Sequence, residues 1–189
     1  MADNKEVYEL SRPVDLDRLG PAGMALEVAP TESERRALSK RFGFVDLPEL
    51  SARLTVTARA GGTVAVEGRL RGRLVQACVL TLEPVRQDLD EPFRLLFKPG
   101  MADPRDPETG EAVLSAGLDA PEPLEGQLLD VGEIVAEQLA LVADPYPRRP
   151  GVKLEDVLPK RRGPAEPPPA RRTPFAKLQA LKDRPRRGR

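Results

Sequence analysis

Apolar and polar side chains alternate along residues 51–58 and 64–70, and a Gly-Gly pair lies between the two stretches. Alternation at period two is typical of a strand with one buried face, and the glycines favour a tight hairpin. Residues 85–97 alternate again, and Gly72 is predicted to mark a bulge or bend. The pattern therefore predicts long antiparallel strands that expose one polar face to water.

Two other segments carry apolar residues at helical spacing. The segment that begins at Thr31 has Glu34 three residues later, which is the spacing of a capping box. The segment that begins at Asp130 has Glu133 at the same spacing, so we expect a box-like pair there as well. We therefore predict an α+β fold in which two helices pack on an antiparallel β-sheet. The pattern leaves open whether this sheet is flat or barrel-like.

Beyond residue 150 the periodicity stops, and the chain becomes rich in proline and basic residues. The 30 Lys+Arg balance the 30 Asp+Glu overall, but residues 1–144 hold 16 of these cations against 26 acids. Residues 145–189 hold the other 14 cations against 4 acids. We therefore predict one α+β domain at residues 1–150 and a disordered, flexible, basic tail at residues 151–189.

The tail contains one short amphipathic segment at residues 174–182, in which Phe175, Leu178 and Leu181 recur at three-residue spacing. A helix this short is not stable alone in water, so we expect the segment to fold against another surface. That surface is either a groove on a partner or the acidic domain of the same chain.

The composition excludes several kinds of chemistry. The chain has no histidine, which removes imidazole-based acid–base catalysis and the Ser-His and Cys-His nucleophile pairs. Its single cysteine cannot form an internal disulfide, and it cannot hold a structural zinc ion without other N or S ligands. There is no secretory signal pattern and no apolar run long enough for a membrane. We expect a cytoplasmic, non-enzymatic protein with no metal, cofactor, membrane or small-molecule substrate.

Cys78 could be a nucleophile, a remnant metal ligand or a small core residue. A nucleophilic cysteine needs a lowered pKa, and nothing near Cys78 in the sequence predicts one. Because free cysteine is among the most buried residue types, we predict a core or turn position.

Arg69, Arg71 and Arg73 occupy alternate positions and are predicted to share one strand face. They are either the solvated side of the sheet or a ridge that contacts phosphates, because alternate residues lie about 6.6 Å apart along a strand. No aromatic residues alternate with them, so any RNA contact would be to the backbone. The tail supplies further candidate RNA-binding residues, although it could also simply keep the protein soluble. These residues are Arg161, Arg162, Arg171 and Arg172.

Three motifs, in this order, resemble those of the YceD family. The first is a strand pair that leads into a cysteine-containing turn and "LEPV", with Cys78, Leu82, Glu83 and Pro84. The second is "LLDVGEIVAEQLALVADPYP", which is similar to the Asp-x-Gly-Glu helix of the family and contains Asp130, Gly132 and Glu133. The third is "PFAKLQALK" in the tail. The resemblance extends roughly from Arg53 to Lys182.

The resemblance implies a role in accumulation of large-subunit ribosomal RNA, and hence in ribosome assembly. YceD proteins are bacterial or plastid proteins without an established enzymatic activity, and their genes often lie beside that of a large-subunit ribosomal protein. The implied partners are large-subunit ribosomal RNA or a pre-ribosomal particle, and also a large-subunit ribosomal protein. The alternative is an adaptor that holds a basic ribosomal protein without touching RNA.

The chain departs from the family pattern at the cysteine turn. The common form is Cys-x-Arg-Cys-Leu, whereas this chain has Cys78-Val79-Leu80-Thr81-Leu82. Many relatives also carry a second cysteine pair after the last core helix, where this chain has "PYPRRPGVKL". Four thiolates at such positions would suit zinc, but one does not. The resemblance therefore implies that packing closes this turn here.

Overall fold

The computed structural model of the chain describes residues 8–101 and 121–157. Seven strands and three helices occur along these residues. The strands are β1 (Pro13–Asp15), β2 (Met24–Val28), β3 (Asp46–Ala58), β4 (Val64–Ala77), β5 (Pro84–Pro99), β6 (Glu122–Leu124) and β7 (Leu128–Asp130). The helices are α1 (Glu32–Phe42), α2 (Val131–Val142) and α3 (Leu154–Val157).

The main sheet has five strands in the order β2-β3-β4-β5-β6, and β1 pairs with β7 in a separate two-stranded sheet. Strands β2 to β5 are antiparallel, as the alternation predicts, while β6 pairs parallel to the end of β5. The α+β class is confirmed. Over the described strands the main sheet is open, with β2 and β6 at its edges, so the barrel-like alternative is wrong.

The hairpin between β3 and β4 is confirmed. Gly61 and Gly62 have φ values of 78° and 73°, a left-handed conformation that glycine adopts without steric cost. The bulge predicted at Gly72 is wrong, because β4 passes through it and the register shift lies in β3, between Asp46 and Glu49. A Cβ on Gly72 would lie 2.8 Å from the carbonyl oxygen of Glu49, so this glycine permits close strand approach.

The first helix begins as its sequence predicts. The Glu34 N–H donates to Thr31 Oγ1 at 3.3 Å, and the Thr31 N–H donates to the Glu34 carboxylate at 2.7 Å. This reciprocal pair is a capping box, and Gly43 ends the helix in the left-handed conformation. The helix boundaries were predictable because both capping partners lie within one turn of each other.

The core lies between the two long helices and one face of the main sheet. Helix α1 contributes Leu38, and α2 contributes Ile134, Val135 and Leu139, all of which are buried. From the sheet, β3 and β4 contribute alternate apolar residues to the same core cluster. Leu10 is fully buried before the first strand. Removing this apolar surface from water is the main favourable contribution to folding. The opposite face of the main sheet remains exposed.

The chain divides into two units, residues 1–152 and 153–189. In the second unit the structure describes residues 153–157, which include α3. Residues 151–157, at the start of the predicted tail, are thus described, whereas the rest of the tail at 158–189, with the predicted amphipathic segment at 174–182, lies outside the described residues. No helix within the described part of the chain combines the length and the apolar character that a membrane span requires.

Candidate nucleic-acid interface

The exposed face of the main sheet, called here the outer face, is formed by alternate residues of β2 to β5 that lie opposite one another in register. It carries seven cations and six carboxylates. The cations are Arg53, Arg69, Arg71, Arg73, Arg86, Arg94 and Lys98. The carboxylates are Glu27, Asp46, Glu49, Glu67, Asp88 and Asp90.

The three arginines of β4 point to this face together, as predicted, but each of them is paired with a carboxylate. Arg71 Nε donates to Asp90 Oδ1 at 3.1 Å, and Arg69 Nε donates to the same oxygen. Hydrogen bonds from Arg69 and then Arg71 lower the pKa of Asp90. These side chains are about half exposed, so the pairs stabilise the fold only weakly. The face is thus a mixed-charge surface rather than an unpaired basic ridge.

Arg73 has two carboxylate partners. Its Nε donates to Asp88 Oδ1 at 2.8 Å, and its Nη1 donates to Glu49 Oε1 at 3.4 Å. The hydrogen bond to Asp88 is the largest cause of the raised pKa of Arg73, followed by the charge of Glu49. Arg73 therefore differs from its neighbours, because Arg69 and Arg71 share a single carboxylate.

Arg53, which the sequence indicated only through its strand pattern, lies directly opposite Arg69 across the β3–β4 pair. Its salt bridge is to Glu27 on β2, with Arg53 Nε 3.6 Å from the carboxylate. Like charges opposite each other in a sheet are destabilising. The register that creates this pair could not be read from the sequence without the exact hairpin geometry.

Cys78 is fully buried in the turn between β4 and β5, which confirms the predicted core or turn position. The backbone N–H of Arg149 donates to its Sγ at 3.4 Å, and the Cys78 N–H donates to the carbonyl of Glu83 at 2.8 Å. The Arg149 guanidinium also pairs with the Glu83 carboxylate. The turn is therefore held against the segment that follows α2 by these hydrogen bonds, by the ion pair between Arg149 and Glu83, and by the burial of Cys78.

The Cys78 thiol has one property that sequence reasoning missed. Hydrogen bonds from the Thr81 hydroxyl and then the Arg149 N–H lower its pKa to about 7. The expectation that nothing near Cys78 lowers its pKa is therefore wrong. Thr81, the larger cause, lies only three residues along the chain, and the Arg149 donor comes from a segment 71 residues away. Full burial nevertheless denies a substrate access to the sulfur.

Among the described residues no group of three or more Cys, Asp or Glu is placed to hold a metal ion, and the Sγ already accepts backbone N–H donors.

The other family-motif residues of this turn are exposed. Leu82 has φ 62°, which is unusual for a residue with a branched side chain, and its side chain is 79% exposed. Pro84 begins β5 and is exposed as well.

The second family motif forms the junction at the start of α2. One oxygen of Asp130 accepts the N–H groups of Arg12 at 2.7 Å, Gly132 at 2.9 Å and Glu133 at 3.3 Å. The helix cap predicted at Asp130 is therefore confirmed, and it also anchors the N-terminal segment. A Cβ on Gly132 would lie 2.7 Å from the carbonyl oxygen of Leu10. Asp130 and Gly132 thus allow the segment before β1 to cross the helix start.

Glu133 completes only half of the predicted box-like pair: its N–H donates to Asp130 at 3.3 Å, but its carboxylate does not accept the Asp130 N–H. Its carboxylate instead accepts two hydrogen bonds from the Arg41 guanidinium of α1, one of them at 2.9 Å. This pair is the largest cause of the raised pKa of Arg41. Two charged hydrogen bonds are stronger than one bond to a backbone N–H, which explains the difference. The motif residues Asp130, Gly132 and Glu133 therefore hold the fold together.

Several predicted site residues lie outside the described residues. They are the candidate RNA-binding residues Arg161, Arg162, Arg171 and Arg172 and the candidate docking residues Phe175, Leu178 and Leu181.

Comparison with known proteins identifies the family. Residues 66–182 match the model of the YceD family, whose description is large ribosomal RNA subunit accumulation protein YceD. Searches of curated proteins and of solved structures give no significant match. The matched segment includes both the cysteine turn and the α2 junction described above. Because this match spans more than half of the sequence, the chain belongs to the YceD family of large ribosomal RNA subunit accumulation proteins.

Proposed function

We propose that this protein supports the accumulation of large-subunit ribosomal RNA in the cytoplasm by binding RNA on the outer face of its sheet, without catalysing a reaction. The family assignment supports the biological role. The charge distribution of the outer face supports the mode of action.

The supporting observation is an enrichment of cations on one face. Residues 1–144 contain 16 Lys+Arg and 26 Asp+Glu. The outer face holds seven of those cations and six of those acids, so an acidic domain presents one face that is slightly net positive. A cationic surface attracts the phosphate backbone of nucleic acids at long range and binds it by releasing counterions.

The same face indicates how RNA would be held. Along the described strands, none of the outer-face positions is aromatic, and Phe93 and Phe97 lie on the core face. Bases therefore have no ring on which to stack, and the contacts would be to phosphates. Binding of this kind is weakly dependent on sequence and strongly weakened by salt.

The proposal can be tested by complementation in a strain that lacks the gene. The test variant changes four outer-face cations to glutamine: Arg53, Arg69, Arg71 and Arg94. The matched control changes four exposed cations elsewhere in the domain: Arg18, Arg36, Lys40 and Arg148. We expect the control variant, but not the test variant, to restore the ratio of large-subunit to small-subunit ribosomal RNA at equal protein levels. Equal restoration by both variants would exclude the outer face as the RNA contact.

A second candidate function is the holding of a basic ribosomal protein. One observation favours it: residues 1–144 carry 26 Asp+Glu against 16 Lys+Arg. At α2, partial burial and then the nearby charges of Glu133 and Glu122 raise the pKa of Glu137. These carboxylates on and near α2 repel one another, and a cationic partner would relieve that repulsion. Affinity purification from cells with and without nuclease separates the two functions. A ribosomal protein that stays bound after nuclease treatment supports the second, whereas release by nuclease supports RNA binding.

A further inference from the structure

Among the pockets along the described part of the outer face is one whose charge is only partly balanced. It has a volume of about 310 Å³ and is lined by Glu27, Ser51, Arg53, Arg69 and Arg71; we refer to it as the Arg53 pocket. This volume lies at the low end of the roughly 300–1,000 Å³ typical of small-ligand sites. The small side chain of Ser51, which pairs in register with Arg71, leaves the space open.

Salt bridges that only stabilise the sheet do not explain how the arginines of the pocket are arranged. Arg53 and Arg69 face each other across two strands, although opposed like charges are unfavourable there. Three arginines share two carboxylates, because Asp90 serves both Arg69 and Arg71 and Glu27 serves Arg53. These pairs therefore contain one guanidinium more than carboxylates, and the charge of Glu91 also acts on Arg69.

Asp90 holds two of these guanidinium groups from one side. Both Arg69 and Arg71 donate to it through Nε. Their Nη nitrogens make no hydrogen bond to any other residue in the described part of the chain. A guanidinium held through Nε still presents its two terminal N–H groups, which form the planar fork that binds phosphate oxygens. Asp90 thus fixes the orientation of the arginines while leaving the forks available.

We propose that the Arg53 pocket is a binding site for a phosphate group, with Arg53, Arg69 and Arg71 as its donors and Asp90 as a positioning residue. Resting on the function proposed above, the ligand is a backbone phosphodiester of single-stranded RNA. Glu27 opposes the anion and limits its affinity, which keeps the contact reversible. Arg73, two residues along the same strand, is outside the site because two carboxylates already neutralise it.

Arg73 supplies a matched control for a binding experiment. The full-length protein is titrated into fluorescein-labelled oligouridine at low salt, and fluorescence anisotropy gives the affinity. R53Q, R69Q and R73Q each remove one positive charge from the same face, so general electrostatics changes equally in all three. We expect R53Q and R69Q to weaken binding about tenfold and R73Q to weaken it less than about twofold. The slope of log affinity against log salt should fall by about one in R69Q.

A variant that is expected to bind oligouridine more tightly, rather than more weakly, provides a second test. Glu27→Gln removes the opposing carboxylate, and we expect it to tighten oligouridine binding about threefold. Equal losses in R53Q, R69Q and R73Q, or no gain in Glu27→Gln, would overturn the proposal while leaving RNA binding by the outer face intact. Unchanged thermal unfolding of all four variants shows that the affinities report binding rather than folding.

Inorganic phosphate tests the pocket without RNA. In ¹⁵N-labelled protein, phosphate should shift the Nε–Hε NMR signals of Arg53 and Arg69 and leave that of Arg73 in place. If these signals shift but oligouridine does not bind, the pocket takes phosphate from another source, and the RNA assignment is wrong. If phosphate shifts all three signals equally, or none, the site itself is refuted.

Discussion

The α2 junction and the outer face both concentrate charged residues, but they differ in how those residues are held. At the junction, Glu133 is 12% exposed and its partner Arg41 is 31% exposed, and the two come from different helices. On the outer face, Arg73 is 46% exposed and its partner Asp88 is 79% exposed, and both lie on neighbouring strands of one sheet. Shielded pairs between distant segments contribute to stability, whereas exposed pairs contribute little.

This difference changes how the sequence motifs are interpreted. Asp130, Gly132 and Glu133 carry the family resemblance, yet their contacts are structural. Asp130 and Gly132 fix the crossing of the N-terminal segment over α2, and Glu133 joins α2 to α1. The residues proposed to bind RNA are not among the residues that carry the three motifs, since Arg53, Arg69 and Arg71 lie in the alternating strands before the cysteine turn. A motif of this kind therefore identifies the fold, and under the proposal above RNA binding lies with surface residues outside it.

The largest effect that would distinguish the two regions comes from Gly132→Ala. An alanine near the start of a helix normally stabilises it by up to about 1 kcal/mol. Here the added Cβ would meet the Leu10 carbonyl oxygen at 2.7 Å and the Arg12 nitrogen at 2.8 Å, and backbone atoms cannot move aside easily. We expect a loss of about 3 kcal/mol in the free energy of unfolding measured with urea.

Gly20→Ala is the matched control for this change. A Cβ at Gly20 would meet no atom within 4 Å, and its φ is not positive. We expect its free energy of unfolding to stay within about 0.5 kcal/mol of the wild type. Equal stability of the two variants would show that the N-terminal segment does not lie against α2 as described.

Asp130→Ala should have the next largest effect. The change removes the acceptor for the N–H groups of Arg12, Gly132 and Glu133. We expect a loss of about 2 kcal/mol in urea unfolding, at the upper end for a helix cap. Asp130→Asn retains one carbonyl oxygen at this site and should recover most of that loss. If both variants lose the same amount, the negative charge matters more than the hydrogen bonds.

We expect Glu34, which is partly exposed, to make the free energy of unfolding depend on pH by about 1 kcal/mol. The hydrogen bond from Arg12 lowers its pKa from 4.5 to about 2, with further help from Thr31. Because the folded state holds the carboxylate ionised, its contribution is present above pH 4.5 and is lost as the pH falls toward about 2.

The check is urea unfolding across that pH range in the wild type and in Glu34→Gln. The stability of the wild type should fall more steeply, and the difference between the two curves isolates Glu34 from the other carboxylates. Parallel curves would mean that the ion pair between α1 and the N-terminal segment does not form in solution.

The elements that could be predicted from sequence are those whose causes are local. The capping box of Thr31 and Glu34 spans three residues, and the hairpin depends on adjacent glycines, so both were predictable. The pairing of Glu133 with Arg41 joins residues 92 positions apart, and no local pattern indicates it. In physical terms, the spacing of apolar residues and the residues of the turns determine the strands and helices. Packing between segments that are distant in sequence determines which charged side chains meet.

The candidate site shows the same limit. Alternation placed Arg69, Arg71 and Arg73 on one face, but it could not separate the doubly paired Arg73 from the two arginines that share Asp90. That distinction depends on the register between β4 and β5, which the alternation of side chains does not determine.

The smallest expected effect is the stability change in Arg73→Gln. The pairs of Arg73 with Asp88 and Glu49 are exposed, so water and salt screen them, and holding three long side chains in place costs conformational entropy. We expect urea unfolding to change by less than about 0.5 kcal/mol, several times less than for Asp130→Ala. A loss above about 1 kcal/mol would mean that the charge pairs of the outer face stabilise the fold, and the contrast with the α2 junction would then disappear.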